Sequence, residues 1–79
     1  NTDNVLKLYP NPATTKFTVE ASEVITKIAV YNILGENTMV VNPNTTRTVI
    51  NVTTMKTGVY FVKVYTQKQT KTIKLKVVN

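Results

Sequence analysis

The sequence predicts an all-β fold, and three observations carry the prediction. Thr, Val, Ile and Tyr dominate the 79 residues, and these are the side chains that suit a pleated, half-buried surface. Within short segments apolar residues recur at every second position, the period at which a strand returns a side chain to the same face. Pro, Asn and Gly stand between those segments, where the chain has to turn.

Residues 5–9 form the first predicted strand, with Leu6 and Leu8 facing the core. It ends in Tyr9-Pro10-Asn11-Pro12-Ala13. Each proline there fixes its own φ, pushes the residue before it toward extended geometry and removes a ladder donor, so the segment predicts a rigid corner. Residues 16–20 follow, with Phe17 and Val19 inward. Residues 24–33 put Ile28 and Val30 on one face and Ala29 and Tyr31 on the other. A helix through 24–34 would align Val24, Ile28 and Tyr31, but the β-branched content and Gly35 just beyond argue for a strand. Gly35 most simply supplies a positive φ in a turn. Residues 37–41 then return, Asn42-Pro43-Asn44 turns the chain, and 47–52 bring in Ile50 and Val52.

The last two strands specify each other. Residues 59–66 alternate Tyr60, Val62 and Val64 inward, while 69–77 alternate Ile73, Leu75 and Val77 with Thr72, Lys74 and Lys76. A turn centred on Gln67-Lys68 pairs Val62 with Ile73 and Tyr60 with Leu75, and a one-residue slip would bury Lys74 and Lys76 instead. Seven antiparallel strands with short connections predict a seven-stranded immunoglobulin-like β-sandwich, with residues 1–79 as a single domain.

A chain of 79 residues buries only about 60–65% of the surface that its unfolded form exposes, which leaves little room for an enclosed active site. Cys, Trp and His are absent, so there is no thiolate nucleophile, disulfide, imidazole base or thiolate zinc site. No apolar run approaches the roughly 20 residues that span a bilayer as a helix, and Asn1-Thr2-Asp3-Asn4 lacks the pattern of a signal peptide. If the chain is exported, its N-terminal signal is expected on a larger precursor. Charge is divided along the sequence. Residues 1–39 set three lysines against all four acids, whereas 40–79 carry Arg47 and six lysines against none. The second half is therefore a cationic surface suited to anionic partners, or one whose lysines keep sheet edges soluble.

Few segments offer chemistry. Residues 56–65, with Tyr60, Phe61, Tyr65 and flanking lysines, look like the aromatic strand of an RNA-recognition motif, but that fold requires two amphipathic helices and none is predicted, so nucleic acid is not expected as a partner. Asn44-Thr45-Thr46 and Asn51-Val52-Thr53 fit the glycosylation acceptor pattern, which arises by chance in a chain this rich in Asn and Thr. Glu20 and Glu23 flank a predicted exposed bend with no His, Cys or phosphate loop beside them. No catalytic residue, cofactor site or metal site is expected.

The ordered set Leu6-x-Leu8-Tyr9-Pro10-Asn11-Pro12-Ala13, Phe17-x-Val19, Ile28-x-Val30-Tyr31-Asn32-x-x-Gly35, Ile50-x-Val52, Gly58-Val59-Tyr60-Phe61-Val62-Lys63-Val64 and Lys74-x-Lys76-Val77 resembles the C-terminal sorting domain of type IX (Por) secretion system cargo. Met55 stands where that family usually has leucine, a volume-conserving change. The resemblance implies a non-enzymatic address. Cargo of this kind crosses the periplasm and is then passed over the outer membrane because the type IX translocon and an outer-membrane shuttle protein recognise the domain. A sortase-like cysteine transpeptidase then often removes it and joins the N-terminal cargo domain to anionic lipopolysaccharide, with cleavage here at or before Asn1. By the same resemblance, recognition is expected along residues 58–79, at Gly58, Tyr60, Phe61, Lys63, Lys74, Lys76 and Val77, while Pro10, Asn11, Pro12 and Gly35 shape the fold. The edge strands also admit weak pairing with a second copy. The competing expectation is a passive immunoglobulin-like spacer or glycan-binding module, for which Tyr31, Phe61 and Tyr65 are the candidate exposed aromatics.

Overall fold

The computed structural model of the chain describes residues 6–79. They form β1 (Leu6–Tyr9), β2 (Lys16–Asn32), β3 (Asn37–Val41), β4 (Thr45–Asn51), β5 (Gly58–Thr66) and β6 (Thr70–Val77), and no helix occurs among the described residues. Every pairing between these strands is antiparallel, in one continuous hydrogen-bonded sheet. The expected seven strands are thus six. The predicted strands 16–20 and 24–33 are the two ends of the single 17-residue strand β2. Residue 5, the predicted start of the first strand, lies outside the described residues.

β2 is the axis of the architecture. Its first half pairs with β1 on one side and β4 on the other, in register Leu8↔Val19 and Phe17↔Ile50. Its second half pairs with β3 and β5, in register Val30↔Met39 and Val30↔Val62, and β6 completes that half beyond β5. At the usual rise, 17 residues would extend roughly 53 Å, yet the molecule's longest dimension is 37 Å. The strand therefore curves strongly between its two sets of partners.

That curvature brings both halves onto one core. Phe17, Val19, Ile50 and Val52 from the first half join Ile28, Val30, Tyr60, Val62, Val64, Leu75 and Val77 from the second in a single buried cluster, with Leu6, Leu8, Met39, Val41 and Met55 packed around it. The inward residues of β2 are odd-numbered at 17, 19 and 25 and even-numbered at 28 and 30. A strictly alternating strand would send one of these sets to solvent. The register explains the change: β2 advances from Ile25 to Lys27 while β5 steps only from Thr66 to Tyr65, which leaves Thr26 as the extra residue of a β-bulge. The bulge restores the apolar face to the interior and adds local twist. The Thr26 hydroxyl donates to the Tyr65 carbonyl at 3.2 Å, which ties the bulged residue to the strand it has shifted against.

The turns follow local chemistry. Gly35 has φ +85°, and the Asn32 side-chain oxygen accepts from the Leu34 and Glu36 amides at 3.0 and 2.9 Å to close the β2–β3 turn. Asn44, with φ 52°, ends the β3–β4 connection and donates its amide to the Ile25 carbonyl. Asn51 accepts from the Thr53 amide and hydroxyl just after β4, so the Asn-x-Thr pattern there is a turn device.

Phe17 is fully buried in the cluster to which both halves contribute. Phe17→Ala is expected to cost about 3–5 kcal/mol, a large share of the roughly 4–12 kcal/mol available to a chain of this size. Urea unfolding followed by far-UV circular dichroism would measure it, and a loss below about 1 kcal/mol would contradict the shared core.

Candidate recognition face

The residues expected to be read divide between two faces of the β5–β6 hairpin. The hairpin register pairs Gly58 with Val77, Tyr60 with Leu75, Phe61 with Lys74 and Val62 with Ile73, as the alternation requires. Tyr60 and Val77 point inward, 8% and 0% exposed. The Tyr60 hydroxyl donates to the Lys56 carbonyl at 2.7 Å, so its one polar atom is satisfied inside the fold. Both support the hairpin from beneath, and Gly58 opens β5 opposite Val77.

Phe61, Lys63, Lys74 and Lys76 lie on the other face, with Phe61 directly opposite Lys74 on the adjacent strand. Extended to β2, the register sets out rows: Lys27, Tyr65 and Thr70; Ala29, Lys63 and Thr72; Tyr31, Phe61 and Lys74; and at the end Val59 beside Lys76. Lys27 Nζ stands 5.1 Å and Lys63 Nζ 5.7 Å from the centre of the Tyr65 ring, within reach of cation–π attraction. Ala29 is fully buried on this outward side, because its longer neighbours close over the smallest side chain. Tyr31, Phe61 and Tyr65 are half-buried and offer edges rather than free rings.

The face is cationic, and no described carboxylate compensates it. The described carboxylates are engaged elsewhere: Glu20 accepts from the Tyr9 hydroxyl at 3.0 Å and lies 3.9 Å from Arg47, Glu23 pairs with Lys68 at 3.4 Å and accepts from Thr66, and Glu36 accepts from Asn32. Glu20 and Glu23 therefore sit within continuous β2 in structural contacts, not on the exposed bend that the sequence predicts. Among the described residues no ion pair involves Lys27, Lys63, Lys74 or Lys76. Four uncompensated ammonium groups on one side of a small sheet make a local positive potential that is screened over about 8–10 Å at physiological salt.

The proline corner does more than turn the chain. The Asn11 side-chain amide lies against the outer edge of β6: Nδ2 donates to the Lys74 carbonyl at 2.8 Å, and Oδ1 accepts from the Lys76 amide at 3.0 Å. Ala13 continues the contact, donating to the Lys76 carbonyl and accepting from the Val78 amide, both at 2.8 Å, in a parallel bridge to Val77. One carboxamide thus imitates a peptide group of a neighbouring strand, held in place by Pro10 and Pro12 on either side. Farther along, Asn79 donates its amide to Thr57 Oγ1 and its side chain to the Met55 carbonyl, fixing the end of the chain beside the start of β5. Sequence reasoning finds the corner but not the clasp. The available signal was an asparagine whose backbone two prolines immobilise and whose side chain then has one place to go.

A cleft of about 350 Å³ opens between β3 and β4 over Met39, Val41, Pro43, Thr48 and Ile50 and contains no titratable side chain. Among the described residues no three His, Cys, Asp or Glu side chains gather as a metal site.

Comparison with known proteins places the chain. Residues 7–79 match the family described as the secretion system C-terminal sorting domain. The chain belongs to this family. It is therefore a type IX secretion sorting signal, of a family that is not catalytic, and it serves export to the cell surface or medium as part of a larger precursor. Among solved structures it is similar to PorZ, an essential bacterial surface component of the type IX secretion system of Porphyromonas gingivalis, with a TM-score of 0.74 and 22% identity over 94% of this chain. The chain corresponds to 11% of that protein's length, so the likeness concerns the fold of one portion of PorZ. No curated protein sequence matches the chain.

The clasp can be weighed separately from export. Asn11→Ala removes two hydrogen bonds at an exposed edge and is expected to cost about 1–2 kcal/mol. Amide exchange should quicken at Lys76 and Val78 while the amides that β6 shares with β5 stay protected. Unchanged exchange at Lys76 would contradict the contact.

Proposed function

We propose that the whole chain acts as one export address, read by the type IX translocon and its outer-membrane shuttle protein after the precursor reaches the periplasm. The observation that carries this reading is the family match over residues 7–79. Architecture and charge support it. We read the six strands, packed in two halves over one core, as a member of the immunoglobulin-like sandwich class. Such a unit folds around its own interior and leaves its outer side for a partner.

The residues proposed to be read are Phe61, Lys63, Lys74 and Lys76, which share the outer face of β5 and β6. Gly58, Tyr60 and Val77 hold that face flat from within, while Pro10, Asn11, Pro12 and Gly35 set the corner and turn that position it. The partner face is acidic, because a cationic surface with no counter-ions among the described residues favours opposite charge and accelerates encounter with it. Cleavage by a sortase-like cysteine transpeptidase and transfer of the N-terminal cargo to anionic lipopolysaccharide complete the proposal. The chain supplies no chemistry to either step and is the part removed.

A signal-peptide-bearing fluorescent reporter carrying residues 1–79 at its C-terminus is expected at the surface or in the medium of a type IX-competent host, and in the periplasm of a host lacking the translocon. Periplasmic retention of a folded fusion in both hosts would overturn the reading in favour of a passive accessory module. Within the same assay, exchanging Lys74 and Lys76 for glutamate is expected to leave the far-UV spectrum unchanged and reduce export about tenfold or more, the scale of a lost charged contact. Normal export of that folded variant would sink the electrostatic part of the proposal.

A further inference from the structure

The outer edge of β6 is divided into a closed part and an open part. Alternate residues of an edge strand present both their N–H and C=O outward. In β6 these are the even-numbered residues, since the Lys76 amide and carbonyl both meet the Asn11–Ala13 segment. The clasp occupies the Lys74 carbonyl, both Lys76 groups and the Val78 amide. The Lys74 amide and both backbone groups of Thr72 and Thr70 remain. Among the described residues no strand pairs with the side of β6 that faces away from β5 along this stretch, and Thr70, Thr72 and Lys74 are exposed.

We propose that this open stretch, residues 70–74, is a strand-addition site for an extended acidic segment of a partner protein. Its backbone offers donors and acceptors in alternation, which another strand satisfies and a simple anion does not. The side chains around it specify charge. Lys74 lies on the stretch itself, on the outward face with Lys63 opposite Thr72 on β5, and Lys71 lies on the other face opposite Val64. An added strand carrying Asp or Glu would set those carboxylates beside the lysines, an arrangement that stabilises cross-strand neighbours. A second copy of this chain is the poorer occupant, because pairing β6 with β6 brings the lysine rows against each other. Asn11 limits the site: it fills the position that a longer strand would need beyond Lys74, so the incoming segment has about five residues in which to pair and one end already fixed. The proposal deepens the sorting reading and rests on it only for placing the partner in the export machinery.

The test uses the chain itself and a probe peptide. A ten-residue peptide alternating Glu and Val is added to the isotopically labelled chain, and amide exchange is followed residue by residue. Exchange at Thr72 and Lys74 is expected to slow about tenfold or more at saturation, while exposed amides of the other edge strands, β1, β3 and β4, stay as they were. Thr72→Pro removes one outward donor at an edge position that tolerates proline, and is expected to abolish the slowing, whereas Thr72→Val retains it. A second peptide of equal charge, interrupted by prolines so that it cannot form a ladder, serves as the comparison should the proline variant fold poorly. Equal protection by the two peptides, or none by the alternating one, overturns strand addition. Because the readout is binding by the chain alone, its failure is distinct from a failure of export.

Discussion

Strand β2 must keep its apolar side inward while it serves two halves of the sheet, and one extra residue makes that possible. β2 hydrogen-bonds with β1, β3, β4 and β5, so its course sets the position of nearly every other strand. Without the bulge at Thr26, Phe17 and Val19 could face the core only if Ile28 and Val30 faced solvent. Each such buried aliphatic side chain is worth about 1.5–3 kcal/mol, so an unbulged strand would forfeit more than a chain this small has to lose. The parity change is thus a condition of folding, and the position of β5, with the hairpin it begins, follows from it.

The hairpin displays its lysines because its inner face is settled. Val62, Val64, Leu75 and Val77 are fully buried, and their alternation leaves Lys63, Lys74 and Lys76 outward with no freedom of register. The clasp then closes a ring. Asn11 lies 65 residues from Lys76 in sequence, so the first corner of the chain and its last strand stabilise each other, and the display depends on the fold being complete. For an address this coupling is useful. An unfinished chain does not present the finished edge, and a machine that reads the edge is thereby reading foldedness.

Much of this was legible in the sequence. The strand at 37–41 and the β5–β6 register came directly from period-two alternation, and the positive φ at Gly35 from the residue that tolerates it. The alternation predicts a break between 20 and 24 where β2 is continuous, and the difference has a physical source. Ala21-Ser22-Glu23 interrupts the apolar pattern, and the inward residues, odd at Phe17 and Val19, are even by Ile28 and Val30, which alternation alone reads as two strands. A bulge produces the same signature within one strand, and only pairing with β5 distinguishes them. The clasp was illegible for a different reason: a side chain bonding to a strand edge 65 residues away leaves no local period. Glu20 and Glu23 likewise looked like a free pair because Tyr9, Arg47, Thr66 and Lys68, which engage them, come from distant segments.

Charge and backbone contribute differently to the proposed recognition. Lysines on an open face act at a distance of about a Debye length, speeding encounter but discriminating poorly among acidic surfaces. Backbone groups act only in contact, and their spacing is the same in any strand, so they too discriminate poorly alone. Specificity requires the two in fixed relation. The β5–β6 register supplies that relation by holding Lys63 opposite Thr72 and Lys74 opposite Phe61, while Asn11 determines where the open edge stops. A short segment with correctly spaced acids can meet both conditions, whereas an acidic surface without a strand, or a strand without acids, meets one. On the proposed reading, a chain without His or Cys carries the information for its selection in where an edge ends and which charges stand beside it.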